Sequence, residues 1–229
     1  MKGIILAAGL GKRLGHITKK MPKPLLPING TPIIKLIIKK LKRAGIKNIG
    51  INLFYKASII KASLKDITGI KFVIEKHLSG TGGALLNFKH FVSEDFLIHN
   101  CDIFSNIDLK KIIKKHRKIR PLATIVLIKN YKTDRVLISK GRVVRFYKKR
   151  MDGCYTYTGI AILSKKIFKY FPKNKKIFSL TEVYNNSIKN GEFLYPCIVN
   201  NTWLDIGTPE VYNRMINHRY LKKTKLSKF

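Results

Sequence analysis

Residues 5–28 read ILAAGLGKRLGHITKKMPKPLLPI, an apolar run that breaks into glycines and then into basic side chains framed by prolines. A glycine loop directly after a first strand points to phosphate. Glycine lets backbone N–H groups approach an anion closely, and a following helix N-terminus favours negative charge. The two commonest phosphate loops are each excluded on single residues. A P-loop needs Gly-x4-Gly-Lys-Ser/Thr, but Gly11-Lys12 is followed by Arg13, and Leu6 stands where the first glycine belongs. A dinucleotide fingerprint needs a third glycine where Leu14 sits and an acidic ribose ligand about 20 residues further on, whereas the first acid of the chain is Asp66.

Composition narrows the partner. A chain of 229 residues with 45% hydrophobic content suits one domain, residues 1–229, with a substantial core and a basic tail from about residue 218. Lys+Arg 47 against Asp+Glu 12 gives a net charge of +35, which points to anionic partners such as phosphorylated small molecules, nucleic acid or an acidic surface. The basic run IDLKKIIKKHRK reads as a solvated helix face without a stacking platform or recognition helix, so no specific nucleic-acid binding is expected. Cys101, Cys154 and Cys197 form no CxxC pair and the six histidines form no HxxxH or HExxH pair, which excludes a disulfide framework, a zinc ribbon and zinc hydrolysis. No run approaches the roughly 20 apolar residues of a membrane span, and the N-terminus lacks the core and cleavage site of a signal peptide. A cytoplasmic protein without a membrane span is the expectation.

Periodicity organises the chain around the loop. Lys2 to Ala8 reads as a strand, Thr31 to about Ala44 as an amphipathic helix stopped by Gly45, and KNIGINL as a second strand. A helix from Ala57 to Lys65, a strand IKFVI, a helix over GGALLNFKHF and a buried strand DFLIHN follow, the last ending at Cys101-Asp102. This alternation predicts an α/β fold with a mainly parallel, Rossmann-like three-layer sheet, with ligands beyond the carboxyl ends of its strands. After Ile107 to Lys118 come the strand-like runs LATIVLI, RVLIS, RVVRFY and YTYTGIAIL, separated by turns, which predict an antiparallel extension. Late helices near Thr181 to Asn190 and Pro209 to Tyr220 flank FLYPCIV and TWLDIG.

The pattern Leu-Ala-Ala-Gly-x-Gly-x-Arg-Leu-x-x-x-Thr-x-x-x-Pro-Lys-Pro-Leu, from Leu6 to Leu25, resembles the signature of the sugar-1-phosphate nucleotidylyltransferases. Four further segments agree in family order. SGTGGA (Ser79 to Ala84) resembles the nucleobase segment, HNCD (His99 to Asp102) the Asn-Gly-Asp metal turn, YTGIAIL (Tyr157 to Leu163) the sugar strand and WLDIGTPE (Trp203 to Glu210) the second metal segment. Cys101 stands where the family has glycine. In size and motif detail the chain resembles the short N-acetylmuramate-1-phosphate uridylyltransferase and heptose- or mannose-1-phosphate guanylyltransferase types, without the β-helix of longer relatives.

The resemblance implies transfer of a nucleoside monophosphate from a nucleoside triphosphate to a sugar 1-phosphate, with Mg²⁺ as cofactor. It assigns catalysis to Arg13, Lys23 and Asp102, and nucleotide binding to Ala7, Ala8, Gly9, Gly11, Arg13, Lys23, Gly80, Gly82 and Gly83. Asn100, Thr158 and Gly159 fall to the sugar. Of the twelve acids, only Glu75, Asp102 and Asp205 follow strands without an evident helix-end or turn role. The resemblance selects Asp102 and Asp205 for the metal and leaves Glu75 to shape the base loop. The chain contains no glutamine, the side chain with which thymidylyl-type relatives read the base, so UTP or GTP is favoured over the thymidine nucleotide, with CTP possible. Competing expectations are a cytidylyltransferase for a phospho-alcohol such as phosphocholine, and a non-catalytic regulatory paralogue.

Overall fold

The computed structural model describes residues 1–130 and 133–216. Strand β1 (Lys2–Leu6) opens the chain and is followed, across the glycine loop, by the short helix α1 (His16–Lys20) and the hairpin of β2 (Pro27–Ile28) and β3 (Thr31–Pro32). Helix α2 (Ile33–Arg43) buries Ile33, Ile34, Leu36, Ile37, Ile38 and Leu41 on one side and leaves most of its basic residues on the other, the 3.6-residue pattern of a helix on a sheet. It begins two residues later than its periodicity predicts. Thr31 precedes Pro32, whose ring disfavours helical backbone at the residue before it, so the pair extends into β3 instead. At the other end Gly45 takes φ 87° and stops the helix, as expected.

Strand β4 (Ile49–Leu53), α3 (Ala57–Ser63), β5 (Ile70–Ile74), α4 (Gly80–Leu86) and β6 (Phe96–Asn100) complete the first half. Helix α4 stops short of the predicted FKHF. There the chain tightens into turns, and the Phe88 ring fills the space a Cβ on Gly50 of β4 would take. The second half comprises β7 (Ile103–Ser105), α5 (Leu109–Ile119), β8 (Ala123–Ile128), β9 (Val136–Ser139), β10 (Arg142–Phe146), β11 (Thr156–Leu163), α6 (Leu180–Lys189), β12 (Leu194–Ile198), β13 (Trp203–Asp205) and α7 (Pro209–Ile216). Seven strands form one sheet in the order β12-β8-β11-β6-β1-β4-β5. The antiparallel part is narrow. Strand β11 opposes both β6 and β8, so β8 runs with β6, and β12 runs parallel to β8. Helix α5 provides the crossover that returns the chain in its original direction. Strands β9 and β10 form their own hairpin, and β13 pairs only with β7.

Two apolar clusters cover the sheet, one beneath α2, α3 and α5 and the other beneath α4 and α6. The basic α5 is therefore not a solvated helix all round. Asp108 caps it by accepting from the Lys110 and Lys111 amides, and Leu109, Ile112, Ile113 and His116 face inward. His116 is fully buried between the Thr124 hydroxyl and the Asp95 carboxylate. Helix α6 starts at a capping box formed by Ser179 and Glu182. Among the described residues no helix is long and apolar enough to cross a membrane. The predicted basic tail and the last residues of the helix expected to run to Tyr220 lie outside the described residues.

Candidate active site

The carboxyl ends of β1, β4, β5 and β6 meet at one edge of the sheet, and the glycine loop lies across them. Gly11 adopts φ 67°, and the Thr18 hydroxyl lies 3.2 Å from the carbonyl oxygens of both Gly11 and Gly15, closing the loop on itself. No long helix follows directly. Single turns over Lys12–Leu14 and Lys23–Leu25 bracket α1, so phosphate attraction here comes from loop amides and side-chain charge more than from a long helix dipole. The Ala7 amide donates to Asn52 Oδ1 at 2.8 Å, Asn52 Nδ2 donates to Glu75 Oε1 at 2.5 Å, and Glu75 Oε2 accepts from the Ser79 amide and hydroxyl at 3.1 and 2.6 Å. This chain of bonds fastens the start of the glycine loop to the Ser79–Gly80 turn.

Four charges converge beside it. Lys23 follows Pro22 in a turn whose backbone the flanking prolines restrict, and its Nζ meets Asp102 Oδ2 at 2.9 Å. Arg13 Nη2 lies 3.7 Å from Asp205 Oδ2. The two carboxylates approach through the β7–β13 ladder, in which Ile103 pairs with Asp205, and through the Ile206 amide, which donates to the Asp102 carbonyl at 2.8 Å. Cys101, in place of the family glycine, fits this turn because its backbone needs no positive φ and its thiol packs into the core. Burial, and then the nearby Asp102 charge, push the Asp205 carboxyl above its ordinary value, and its buried Oδ1 has no hydrogen-bond partner. Two crowded carboxylates with an orphaned acceptor suit a divalent cation, and Asp102 and Asp205 are the residues that would hold it. Among the described residues no group of three or more His, Cys, Asp or Glu side chains converges.

Asp102 is shared by three adjoining depressions. One of about 300 Å³ is lined by Ala7, Gly9, Gly11, Arg13 and Lys23. A second of about 270 Å³ includes Ala8, Glu75, Gly80, Thr81 and Asn100. The third and largest, about 900 Å³, runs over Asn100, Gly159, Tyr157, Lys148, Trp203 and Asp205. Most residues expected at the site thus line one cleft. Gly82, Gly83 and Thr158 do not. A Cβ on Gly82 would strike the Phe178 ring and one on Gly83 would strike Ser79, so these glycines serve close packing behind the cleft wall. The Thr158 hydroxyl donates to the Val126 carbonyl inside the sheet, and the Thr158 carbonyl accepts from the Trp203 indole N–H at 2.9 Å.

Gly159 is the point at which the reversed strand bulges. The β11–β8 register shifts between Tyr157 and Ala161, Gly159 has φ 78°, and a Cβ there would lie 2.7 Å from the Asn100 amide nitrogen. Gly159→Ala is expected to cost roughly 1–2 kcal/mol of stability through the left-handed backbone. It should also displace Asn100; a thermal melt checks the loss of stability. A melt unchanged from wild type would contradict it.

Composition and spacing did not single out Asn52, and Thr18 stood in the glycine-loop pattern without an assigned role. Asn52 shows only as a polar residue in an otherwise apolar strand, INL, where a buried amide implies a hydrogen-bonding duty.

The sequence profile described as nucleotidyl transferase matches residues 2–221. The D-glycero-alpha-D-manno-heptose 1-phosphate guanylyltransferase of Campylobacter jejuni is 36% identical over 225 residues, covering 95% of this chain and all of that protein. The mannose-1-phosphate guanylyltransferase of Mycobacterium tuberculosis is 27% identical across 92% of this chain, which spans 62% of that longer relative. The crystal structure of HddC from Yersinia pseudotuberculosis complexed with GMP-PN superposes with a TM-score of 0.79 at 28% identity, covering 94% of this chain and 97% of that one.

Proposed function

The chain belongs to the nucleotidyl transferase family, and from that premise we propose that it joins a nucleoside triphosphate to a sugar 1-phosphate, giving an NDP-sugar and pyrophosphate. One observation carries the reading: Arg13, Lys23, Asp102 and Asp205 pair crosswise at the mouth of the glycine loop, between a small depression and a large one. A phosphate oxygen of the sugar attacks the α-phosphorus in line and pyrophosphate departs, so no covalent enzyme intermediate is needed. Catalysis then rests on positioning and on neutralising charge. Ala8, Gly9 and Gly80 bound the space for base and ribose, while Gly11, Arg13 and Lys23 face the triphosphate. Asn100 and Gly159 border the sugar. Asp102 and Asp205 would hold Mg²⁺, which when bound offsets the charge that builds on the phosphates. A reaction that consumes a nucleoside triphosphate supports a cytoplasmic location.

GTP is the nucleotide the geometry favours. Glu75 lines the base depression as a carboxylate with three acceptor positions taken and one left. Guanine sets two adjacent donors, N1–H and the exocyclic amine, on one edge, so the remaining position can accept one of them with the other beside it. Uracil offers one N–H flanked by two carbonyl oxygens, which a carboxylate repels. A matrix of GTP, UTP, CTP and dTTP against D-glycero-α-D-manno-heptose 1-phosphate, mannose 1-phosphate, N-acetylmuramate 1-phosphate and phosphocholine, read as pyrophosphate release, tests the whole reading. We expect GTP with a hexose or heptose 1-phosphate to dominate, and Glu75→Gln to shrink the GTP-over-UTP ratio by about tenfold. Turnover confined to CTP with phosphocholine would overturn it, as would an unchanged base preference in Glu75→Gln for the Glu75 assignment.

A further inference from the structure

Beneath the cleft, the last turn of α2 sends Lys40 inward. Its ammonium donates to the Ser105 carbonyl at 2.7 Å and to the Ser105 hydroxyl at 2.8 Å. Ser105 is 1% exposed and is the register partner of Trp203 in the β7–β13 ladder. At the other end of that ladder Ile103 faces Asp205, and Asp102 immediately precedes Ile103. The ladder is three pairs long and joins no larger sheet, so it has little stability of its own. Its direction depends on its anchors, which include the Trp203 indole bond to the Thr158 carbonyl and the Lys40 bonds to Ser105.

We propose that Lys40 is a positioning residue for nucleotidyl transfer, fixing β7 from below and so setting the separation and aim of Asp102 and Asp205. The proposal rests on reading those two acids as the cation ligands. Burial pushes the Lys40 amine down to about 7 against the opposing pull of Asp108. Its charge also reaches His99 on β6, which is held at about 3 chiefly by burial. The His99 Nδ1 lies 2.8 Å from the Asn100 carbonyl, an acceptor only, so Nδ1 carries the proton and Nε2 is a bare, buried acceptor without a partner. Lys40 therefore faces Ser105 from β7, His99 from β6 and Asp108 ahead of α5. Of these His99 and Ser105 are fully buried and Asp108 is exposed, so the cost of burial falls on Lys40 and His99 and is accounted for by a need for rigidity under the acids.

The test uses the full chain with Lys40→Met and, as a milder change, Ser105→Ala. Mn²⁺ is the probe, titrated by electron paramagnetic resonance with enzyme and GTP in the absence of acceptor. Lys40→Met is expected to weaken Mn²⁺ binding by about tenfold, with Ser105→Ala moving it less in the same direction. The metal concentration for half-maximal rate should rise in parallel, and saturating metal should restore most of kcat. A second readout is independent of activity. Folding lowers this amine from its ordinary 10.5, so the unfolded chain holds the proton more tightly and wild-type stability should rise as pH climbs from about 7 toward 10.5. Lys40→Met should flatten that rise. Unchanged Mn²⁺ affinity with a rate loss that saturating metal does not relieve would reduce Lys40 to a structural role and overturn the proposal. If wild type itself shows no divalent-metal dependence, the metal reading of Asp102 and Asp205 fails first; a metal-dependent wild type matched by Lys40→Met sinks the Lys40 inference alone.

Discussion

Asp102→Asn and Asp205→Asn are each expected to lower turnover by on the order of 100-fold or more while leaving the fold intact, because each removes one of the two carboxylates proposed to hold the cation. Stability should move the other way at Asp205. Its carboxyl is raised by burial and by Asp102, so the folded protein holds that proton more tightly than the unfolded chain does. Ionised Asp205 therefore opposes folding at neutral pH, and the opposition fades as the pH falls from the raised value toward the ordinary one. Asparagine removes that charge, and Asp205→Asn should melt no lower than wild type. Rate against metal concentration, paired with a thermal melt, checks both halves. Full turnover at limiting metal in both variants would remove the metal site from the mechanism.

Lys23→Ala should be nearly as damaging, again by about 100-fold in kcat/KM, for two reasons that act together. A fixed positive charge leaves the phosphate site, and Asp102 loses the ammonium 2.9 Å from its Oδ2. Arg13 is different. Its side chain is 64% exposed and its pairing with Asp205 is long, so its removal should leave the melting temperature unchanged. Arg13→Lys keeps the charge but not the planar fork, and a loss of about tenfold in kcat/KM without a change in Tm is expected. Steady-state kinetics with the preferred substrate pair decide the matter. Wild-type kinetics in either variant would mean that the glycine loop binds phosphate through its backbone alone.

The parts of the site that were legible in the sequence are those written contiguously. The glycine loop, HNCD and WLDIG each span only a few residues, so their resemblance to the family motifs pointed to Arg13, Lys23, Asp102 and Asp205, which the fold brings together. The α/β alternation was equally local, since each strand and helix declares its own period. What stayed hidden are bonds between distant positions. Ala7 to Asn52 spans 45 residues, Asn52 to Glu75 spans 23 and Lys40 to Ser105 spans 65, and nothing in a lysine on a lysine-rich helix marks the one that points inward. Thr158, Gly82 and Gly83 illustrate the converse. They sit within segments that resemble the family motif, but strand alternation turns the Thr158 hydroxyl into the sheet, and close packing against Phe178 and Ser79 occupies the glycine faces. The direction of β8 was equally out of reach, because a strand's own sequence does not record which neighbour it joins.

The strand order has a consequence for how the molecule is made. Strands β1, β4 and β5, with α2 and α3 between them, lie within the first 74 residues, so this flank of the sheet can zip together early from near neighbours. The central seam cannot. Strand β1 must wait for β6, which ends at Asn100, and β6 must wait for β11, which ends at Leu163. The cleft straddles that seam, and Asp205 arrives later still. On the ribosome, therefore, the first strand keeps one hydrogen-bonding edge unpaired until residue 100 of the 229 has been made. The candidate active site is therefore among the late regions to assemble, which exposes this chain to misassembly when translation is delayed or interrupted.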